Sequence, residues 1–291
     1  MNRLEEKLKE YYDNYQDIIN GYNEKRYVTI RVNTIKSSIL EIKEILKKEN
    51  IIYEEVKFYG DALVIKNNDE KDITNLDIYK EGKIYLQSLS SMLPPLFLDP
   101  KDNESILDMT AAPGSKTSQI AALAYNKVLI TAVEKDKFRC EKLKYNLDKL
   151  GVKKVNVINV DANRLDDFYS FDKILLDAPC SGSGTLNSKE FNNFDYNLVI
   201  KSVERQTKLI NKALKLLKKD GILVYSTCSI LKEENENIIN EVIKNNDVEV
   251  LPLNLNLDSI PKLDTLISNT LCVCPNKYFE GFFVAVLKKK S

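Results

Sequence analysis

The spacing of apolar residues changes character near residue 100. Ahead of that point the patterns are short and mixed. Residues 4–19 place apolar side chains, Tyr11, Tyr12 and Tyr15 among them, at helical spacing and predict one amphipathic helix. Residues 27–33 alternate and predict a strand. Ser37 and Ser38 can cap a helix over residues 39–49, whose Ile39, Ile42, Ile45 and Leu46 share one face. Residues 51–58 and 62–66 predict strands about a Tyr59-Gly60-Asp61 turn. Together these predict a small α+β domain over residues 1–92. A helix over residues 89–98 contains Pro94 and Pro95, where the lost N–H and the ring clash predict a break or bend.

Past Pro100 short apolar runs alternate with helical periods. Strands are predicted at residues 105–109, 128–133, 155–160, 173–176 and 222–226, and helices at 115–125, 137–150, 196–218 and 233–244. Residues 271–274 and 282–287 are also strand-like, giving seven strands. This alternation predicts an α/β domain with a doubly wound, largely parallel sheet and helices on both faces, over residues 93–291. No internal repeat is visible, and residues 67–71 read as an exposed polar loop.

Composition narrows the chemistry. With 43% hydrophobic and 30% charged residues the chain can bury a core. Basic and acidic residues balance, 43 of each, and neither part of the chain is a basic block. A nucleic-acid partner would therefore need a local patch. Lys25, Arg26, Arg31 and Lys36 around the first strand are the candidates, with Arg31 and Lys36 chosen as RNA contacts; a solvated face accounts for them equally well. Lys212, Lys215, Lys218 and Lys219 read as an exposed helix face. Five cysteines, an odd number, fit reduced thiols and a cytoplasmic setting. No run of about 18 apolar residues predicts a membrane span. The acidic N-terminus does not read as a signal peptide. Histidine is absent, which removes His-dependent triads, imidazole bases and His-based zinc sites, and no metal is expected.

Residues 108–117, Asp-Met-Thr-Ala-Ala-Pro-Gly-Ser-Lys-Thr, follow a strand and open a helix. Small residues let the backbone approach a ligand, and the helix start offers free N–H groups to a carboxylate. Glu134, twenty residues past Gly114, ends the next strand, where an acidic side chain can accept from ribose hydroxyls. Asp161 ends the third strand, where a carboxylate can meet an adenine amino group, and Asp177 ends the fourth. Strand-end carboxylates also cap helices. Four of them in succession, beside this turn, mark the carboxyl edge of the sheet as a ligand site. The turn lacks the glycine spacing of a P-loop.

Two cysteines leave strands for polar turns at the same edge: Cys180 in Asp-Ala-Pro-Cys-Ser-Gly-Ser-Gly-Thr (177–185) and Cys228 in Ser-Thr-Cys-Ser (226–229). Thiolates are reactive when partly exposed near a cation, and Lys116 is the candidate cation. On these motifs, together with 281–285 (Gly-Phe-Phe-Val-Ala), 31–34 and 85–87, the chain resembles the Sun/Nop family of RNA cytosine-C5 methyltransferases, from about residue 31 to 287. The resemblance implies a Rossmann-like sheet that uses S-adenosylmethionine, acting as a monomer on rRNA or tRNA, rRNA favoured. It is that of a bacterial rRNA-type member, with no C-terminal RNA-binding extension expected. It implies Cys228 as nucleophile and Cys180 as the aid to product release. It places Thr110, Ala111, Ala112, Pro113, Gly114, Ser115, Lys116, Glu134, Asp161 and Asp177 around the cofactor, with Asp177 and Lys116 also facing the base. Adding a thiolate at C6 makes C5 of cytosine enamine-like, which such a transfer requires. Either Cys180 or a water can take the C5 proton. Ser115 stands where many members have glycine, and Cys272 where the family usually has arginine; Cys272 and Cys274 are expected to pack in a strand, and Cys140 in a helix. An amino-group methyltransferase lacks support, since Asp177-Ala178-Pro179-Cys180 has neither a second proline nor a ring. The other alternative is a non-catalytic RNA-binding or ribosome-assembly factor, which would need no thiol.

Overall fold

The computed structural model describes residues 3–291; Met1 and Asn2, part of the N-terminal segment considered above, lie outside the described residues. The single helix expected over residues 4–19 is two, α1 (Arg3–Tyr11) and α2 (Tyr15–Asn23). Asp13 and Asn14, both better suited to turns than to helix interiors, separate them. The break lets Tyr12 drop its hydroxyl onto the Ile230 carbonyl at 2.6 Å.

A four-stranded antiparallel sheet follows, built from β1 (Val28–Val32), β2 (Tyr53–Glu55), β3 (Ala62–Ile65) and β4 (Ile84–Leu86), in the order β2-β3-β1-β4. Helix α3 (Ile39–Lys48) starts at Ser38, whose side chain accepts from the Glu41 N–H, and buries Ile42 and Leu46 against Ile30, Val32 and Leu63. Two short helices, α4 (Glu70–Asn75) and α5 (Asp77–Lys80), lead to β4.

Helix α6 (Leu89–Leu98) runs through Pro94 and Pro95 without the expected break. The carbonyl that Pro95 leaves without its helical N–H, that of Ser91, accepts from Gln87 Nε2 at 3.1 Å. A domain boundary at 92/93 cuts through this helix, and the helix packs against the larger sheet.

The larger sheet has nine strands rather than seven. They are β5 (Ser105–Asp108), β6 (Leu129–Val133), β7 (Val155–Ile158), β8 (Phe171–Asp177), β9 (Leu217–Thr227), β10 (Val248–Val250), β11 (Lys262–Leu263), β12 (Leu271–Val273) and β13 (Phe282–Lys289). The order is β11-β12-β13-β9-β8-β5-β6-β7, with β10 on β13. Strands β5 to β9 pair in parallel, and β13 joins β9 antiparallel. The two additional strands, β10 and β11, are three and two residues long and too short for a periodic signal. Both faces are covered, as a parallel sheet requires. Helices α6, α7 (Ser115–Leu123) and α8 (Lys137–Lys149) bury residues such as Met92, Ile120 and Leu147 with Ile106, Leu175 and Val224 on one face. Helices α1, α2, α10 (Asn197–Leu216) and α11 (Glu236–Asn245) cover the other with Leu107, Leu176 and Tyr225. Residues 3–23, grouped by sequence with the N-terminal part, thus belong to the core of the larger sheet. A five-residue helix, α9 (Ser188–Asn192), lies beside α2. No helix among the described residues is long and apolar enough to cross a membrane.

Candidate active site

The parallel order reverses between β5 and β8, so their carboxyl ends part and leave a crevice, the position where open α/β sheets take ligands. A cavity of about 260 Å³ lies there. Thr110, Ala112, Glu134, Asp161, Asp177, Cys180 and Cys228 all line it, so residues from four strand ends and the Ala-Ala-Pro-Gly turn meet.

The turn is held from below. Ala111 donates to Val133 of β6, Arg139 Nη2 to the Ala112 carbonyl at 2.8 Å, and Asn146 to the Pro113 carbonyl at 2.8 Å. Gly114 has φ +103°, open to glycine at little cost, and a Cβ there would press on Leu143 at 3.0 Å. Ala111, Pro113, Gly114, Ser115 and Lys116 stand behind or beside the wall rather than on it.

The four carboxylates divide. Asp108 is buried and accepts from Thr117 Oγ1 at 2.7 Å, so it secures the turn instead of facing the cavity. Burial pushes its carboxyl up to about 6, against the Thr117 hydrogen bond and the Lys116 charge. Glu134 is nearly buried, accepts from the Asp136 N–H and lies 3.6 Å from Arg139 Nη1. Asp161 both lines the cavity and caps a short turn through the Asn163 N–H. Asp177 takes Lys116 Nζ on one oxygen and Ser226 Oγ on the other, each at 2.7 Å. Lys116 also reaches Ser91 Oγ at 2.7 Å.

Cys180 and Cys228 are free, half-buried, and 2.8 Å apart at sulfur. The hydrogen bond it shares with Cys228, in which the Cys180 S–H donates, and the packed surroundings push the Cys180 thiol well above its ordinary range. Cys140, Cys272 and Cys274 are buried; Cys272 lies in β12 beside the Tyr12 hydroxyl, at 3.7 Å.

One expectation fails outright. Arg31 is fully buried and cannot reach phosphate. Its guanidinium donates to Gln87 Oε1 and Ser118 Oγ, each at 2.8 Å, and so ties β1 to α7. Lys36 stays near the surface with its ammonium on the Glu81 carbonyl. Sequence reasoning passed over Ser91 and Ser226, and over Arg205 and Leu209, which line the cavity one helical turn apart on α10. That i, i+4 spacing was the available signal, but nothing local to α10 says which face meets the crevice.

The reversed parallel order, with a crevice of strand-end carboxylates and turns, defines a Rossmann-like domain of the methyltransferase type. A model of the 16S rRNA methyltransferase RsmB/F family matches residues 95–288, and one of the ferredoxin-like domain of RsmF/B-like methyltransferases matches residues 3–70. Ribosomal RNA small subunit methyltransferase F of Shewanella piezotolerans is 36% identical over 288 residues, covering 95% of this chain and 60% of that protein. Its counterpart in Vibrio atlanticus is 35% identical, over 90% of this chain and 57% of its own length. Among solved structures, a methyltransferase homolog protein from Pyrococcus horikoshii superposes with TM-score 0.86 at 34% identity, over 98% of this chain and 93% of that one. NSun6 from Pyrococcus horikoshii, solved with SFG, gives TM-score 0.90 at 26% identity, over 100% and 98%. The chain belongs to the 16S rRNA methyltransferase RsmB/F family. It spans about three fifths of the length of the curated relatives it matches.

Proposed function

We propose that the chain transfers a methyl group from S-adenosylmethionine to C5 of a cytosine in structured RNA, ribosomal RNA being the substrate class. The observation that carries this reading is the pair of touching thiols, Cys180 and Cys228, on the wall of the crevice that also holds Glu134 and Asp161. The RsmB/F relatives favour ribosomal RNA, and the SFG found in NSun6 is an analogue of S-adenosylmethionine. The residues present suit that cofactor. Glu134 and Asp161 offer carboxylate oxygens to hydroxyl and amino donors, and the turn of Thr110 and Ala112 leaves room for close approach.

When bound, S-adenosylmethionine supplies an electrophilic methyl group. Cys228 adds as thiolate to C6 of the cytosine, and the electron pair of the C5–C6 double bond moves into the ring, where N3 gains a proton. Asp177, held by Lys116 and Ser226, is placed to steady that proton. Once C5 is methylated, its hydrogen leaves as a proton to Cys180 or a water, N3 gives back the proton it gained, the C5–C6 double bond returns and Cys228 departs as thiolate. Cys180 assists this release. A base stacked in a helix must first be turned out to reach these groups. Lys36 is the remaining candidate for a phosphate contact, and a boundary just before α6 divides the N-terminal sheet from the catalytic one.

The test is transfer of tritiated methyl to RNA. Cys228→Ala is expected to abolish it, by at least a factor of about 10³, the scale on which loss of an attacking group is felt. Cys180→Ala is expected to leave protein covalently joined to RNA on a denaturing gel. Full activity of Cys228→Ala would remove that residue as nucleophile.

A further inference from the structure

The two chain neighbours of Cys180 are held by one buried pair. On one side, Gln206 Nε2 of α10 donates to the Pro179 carbonyl at 3.1 Å. On the other, Ser181 donates twice to Glu234, from its backbone N–H at 2.7 Å and its hydroxyl at 2.6 Å. Gln206 Nε2 also reaches Glu234 Oε1 at 3.3 Å and closes the clamp. Both side chains are fully buried. The backbone of Glu234 is itself fixed, because the Tyr225 hydroxyl donates to its carbonyl at 2.7 Å.

Glu234 has no ion-pair partner among the described residues; burial raises its carboxyl above the ordinary range, and the neutral donors of Ser181 and Gln206 that hold it act against that rise and favour the carboxylate. A carboxylate kept in packed surroundings by dipoles alone projects its charge over a short distance with little screening. Cys180 is what lies between its two attachments. The reading of Cys228 as nucleophile leaves a question that this charge answers: two thiols touch, and only one should attack. We propose that Glu234 and Gln206 are positioning residues that tell the two thiols apart. The clamp seats Cys180 against Cys228, and the Glu234 charge disfavours a second negative charge on Cys180, leaving the thiolate to Cys228.

The electrostatics of the site agree. The hydrogen bond that the Cys180 S–H gives to Cys228 raises the Cys180 thiol first, desolvation second, and the Glu234 charge acts in the same direction. The other groups around Cys180 are Asp177, neutralised by Lys116; the Tyr225 hydroxyl; the Gly182 N–H, which favours the thiolate; and Arg205 on the same cavity wall. Of these only the Gly182 N–H and Arg205 oppose Glu234.

Alkylation separates this from a purely structural role. In a Cys228→Ser background, iodoacetamide modification of Cys180 is followed against pH by peptide mass spectrometry, with folding checked by circular dichroism. Glu234→Gln is expected to move the modification profile to lower pH, so that the rate at neutral pH rises several-fold. Ser181→Ala, which removes one of the donors offsetting the charge, is expected to move it to higher pH. Opposite shifts support the proposal. An unmoved profile, or shifts in the same direction, overturns it. If Glu234→Gln does not fold, the direction of the Ser181→Ala shift decides alone. The measurement uses neither RNA nor methyl donor, so its failure leaves the methylation reading to its own test.

Discussion

Asp108 and Asp177 look alike in sequence, each closing an apolar strand ahead of a turn of small residues. In the fold they do opposite work. Asp177 lines the crevice, and Asp108 is 1% exposed with its carboxyl raised to about 6 by burial. The ordinary value is 3.8, so below that pH both folded and unfolded chains hold the proton and burial costs nothing. As pH rises through 6 the native state must ionise a buried group that the unfolded chain has already ionised freely. Stability from this group is therefore present at low pH and lost on the way up. Asp108→Asn still accepts from Thr117 and has no charge to bury. Urea unfolding from pH 4 to pH 8 should show the variant gaining on wild type across that window, by on the order of 3 kcal/mol at the upper end. A gap that does not change with pH would refute the assignment. The same contrast explains what sequence could and could not reveal about the site. Apolar runs locate strand ends, so Glu134, Asp161, Asp177, Cys180 and Cys228 were all readable as neighbours. Arg31 was not, because its fate depends on Gln87 and Ser118, 56 and 87 residues away.

At the scale of elements, the geometry around the two thiols comes from three turns pressed together. Gly184 donates to the Cys228 carbonyl at 2.9 Å and Gly281 donates to the Gly184 carbonyl at 2.7 Å, so the turns after β8 and β9 and the turn before β13 form one ladder. A Cβ on Gly184 would stand 2.1 Å from the Gly281 carbonyl oxygen, which is backbone and cannot swing aside. Gly184→Ala should therefore cost about 1–3 kcal/mol by overpacking. It should also draw the Cys180 turn away from Cys228. Thermal unfolding checks the first effect, and methyl transfer well below the variant's melting temperature checks the second. A melting temperature equal to wild type would show that the turns have room to spare. Sequence supplied the turns through their glycines and serines. Their mutual contact was hidden because the partners lie in segments about 50 and 100 residues apart, joined only when β8, β9 and β13 come side by side.

For the molecule as a whole, the segment from α1 to the first turn of α6 grips the larger sheet from both faces. On one face Arg31 of β1 reaches Ser118 of α7, Gln87 reaches Gln119 at 2.9 Å, and Ser91 receives Lys116, itself bound to Asp177. On the other, Tyr12 bonds the Ile230 carbonyl, Tyr22 the Ser183 carbonyl, and Arg26 the carbonyls of Thr185 and Leu186 in the Cys180 turn. Leu4, Leu8, Tyr12, Ile18 and Tyr22 are at most 3% exposed, buried with the strands of the larger sheet. Neither region can lose its structure without stranding buried polar groups of the other, and each stranded group costs about 1–3 kcal/mol. Two independent units would melt separately. Coupling of this density predicts one transition, with calorimetric and van't Hoff enthalpies equal. Scanning calorimetry of the full chain decides between them. Arg31→Leu sharpens the comparison, since it removes the guanidinium that joins the two sheets. If the sheets unfold as one, the variant melts in a single, lower transition. If they are separable, a first peak for the N-terminal sheet moves alone while the larger sheet keeps its own melting temperature, and the idea that the N-terminal segment holds the crevice in place is lost.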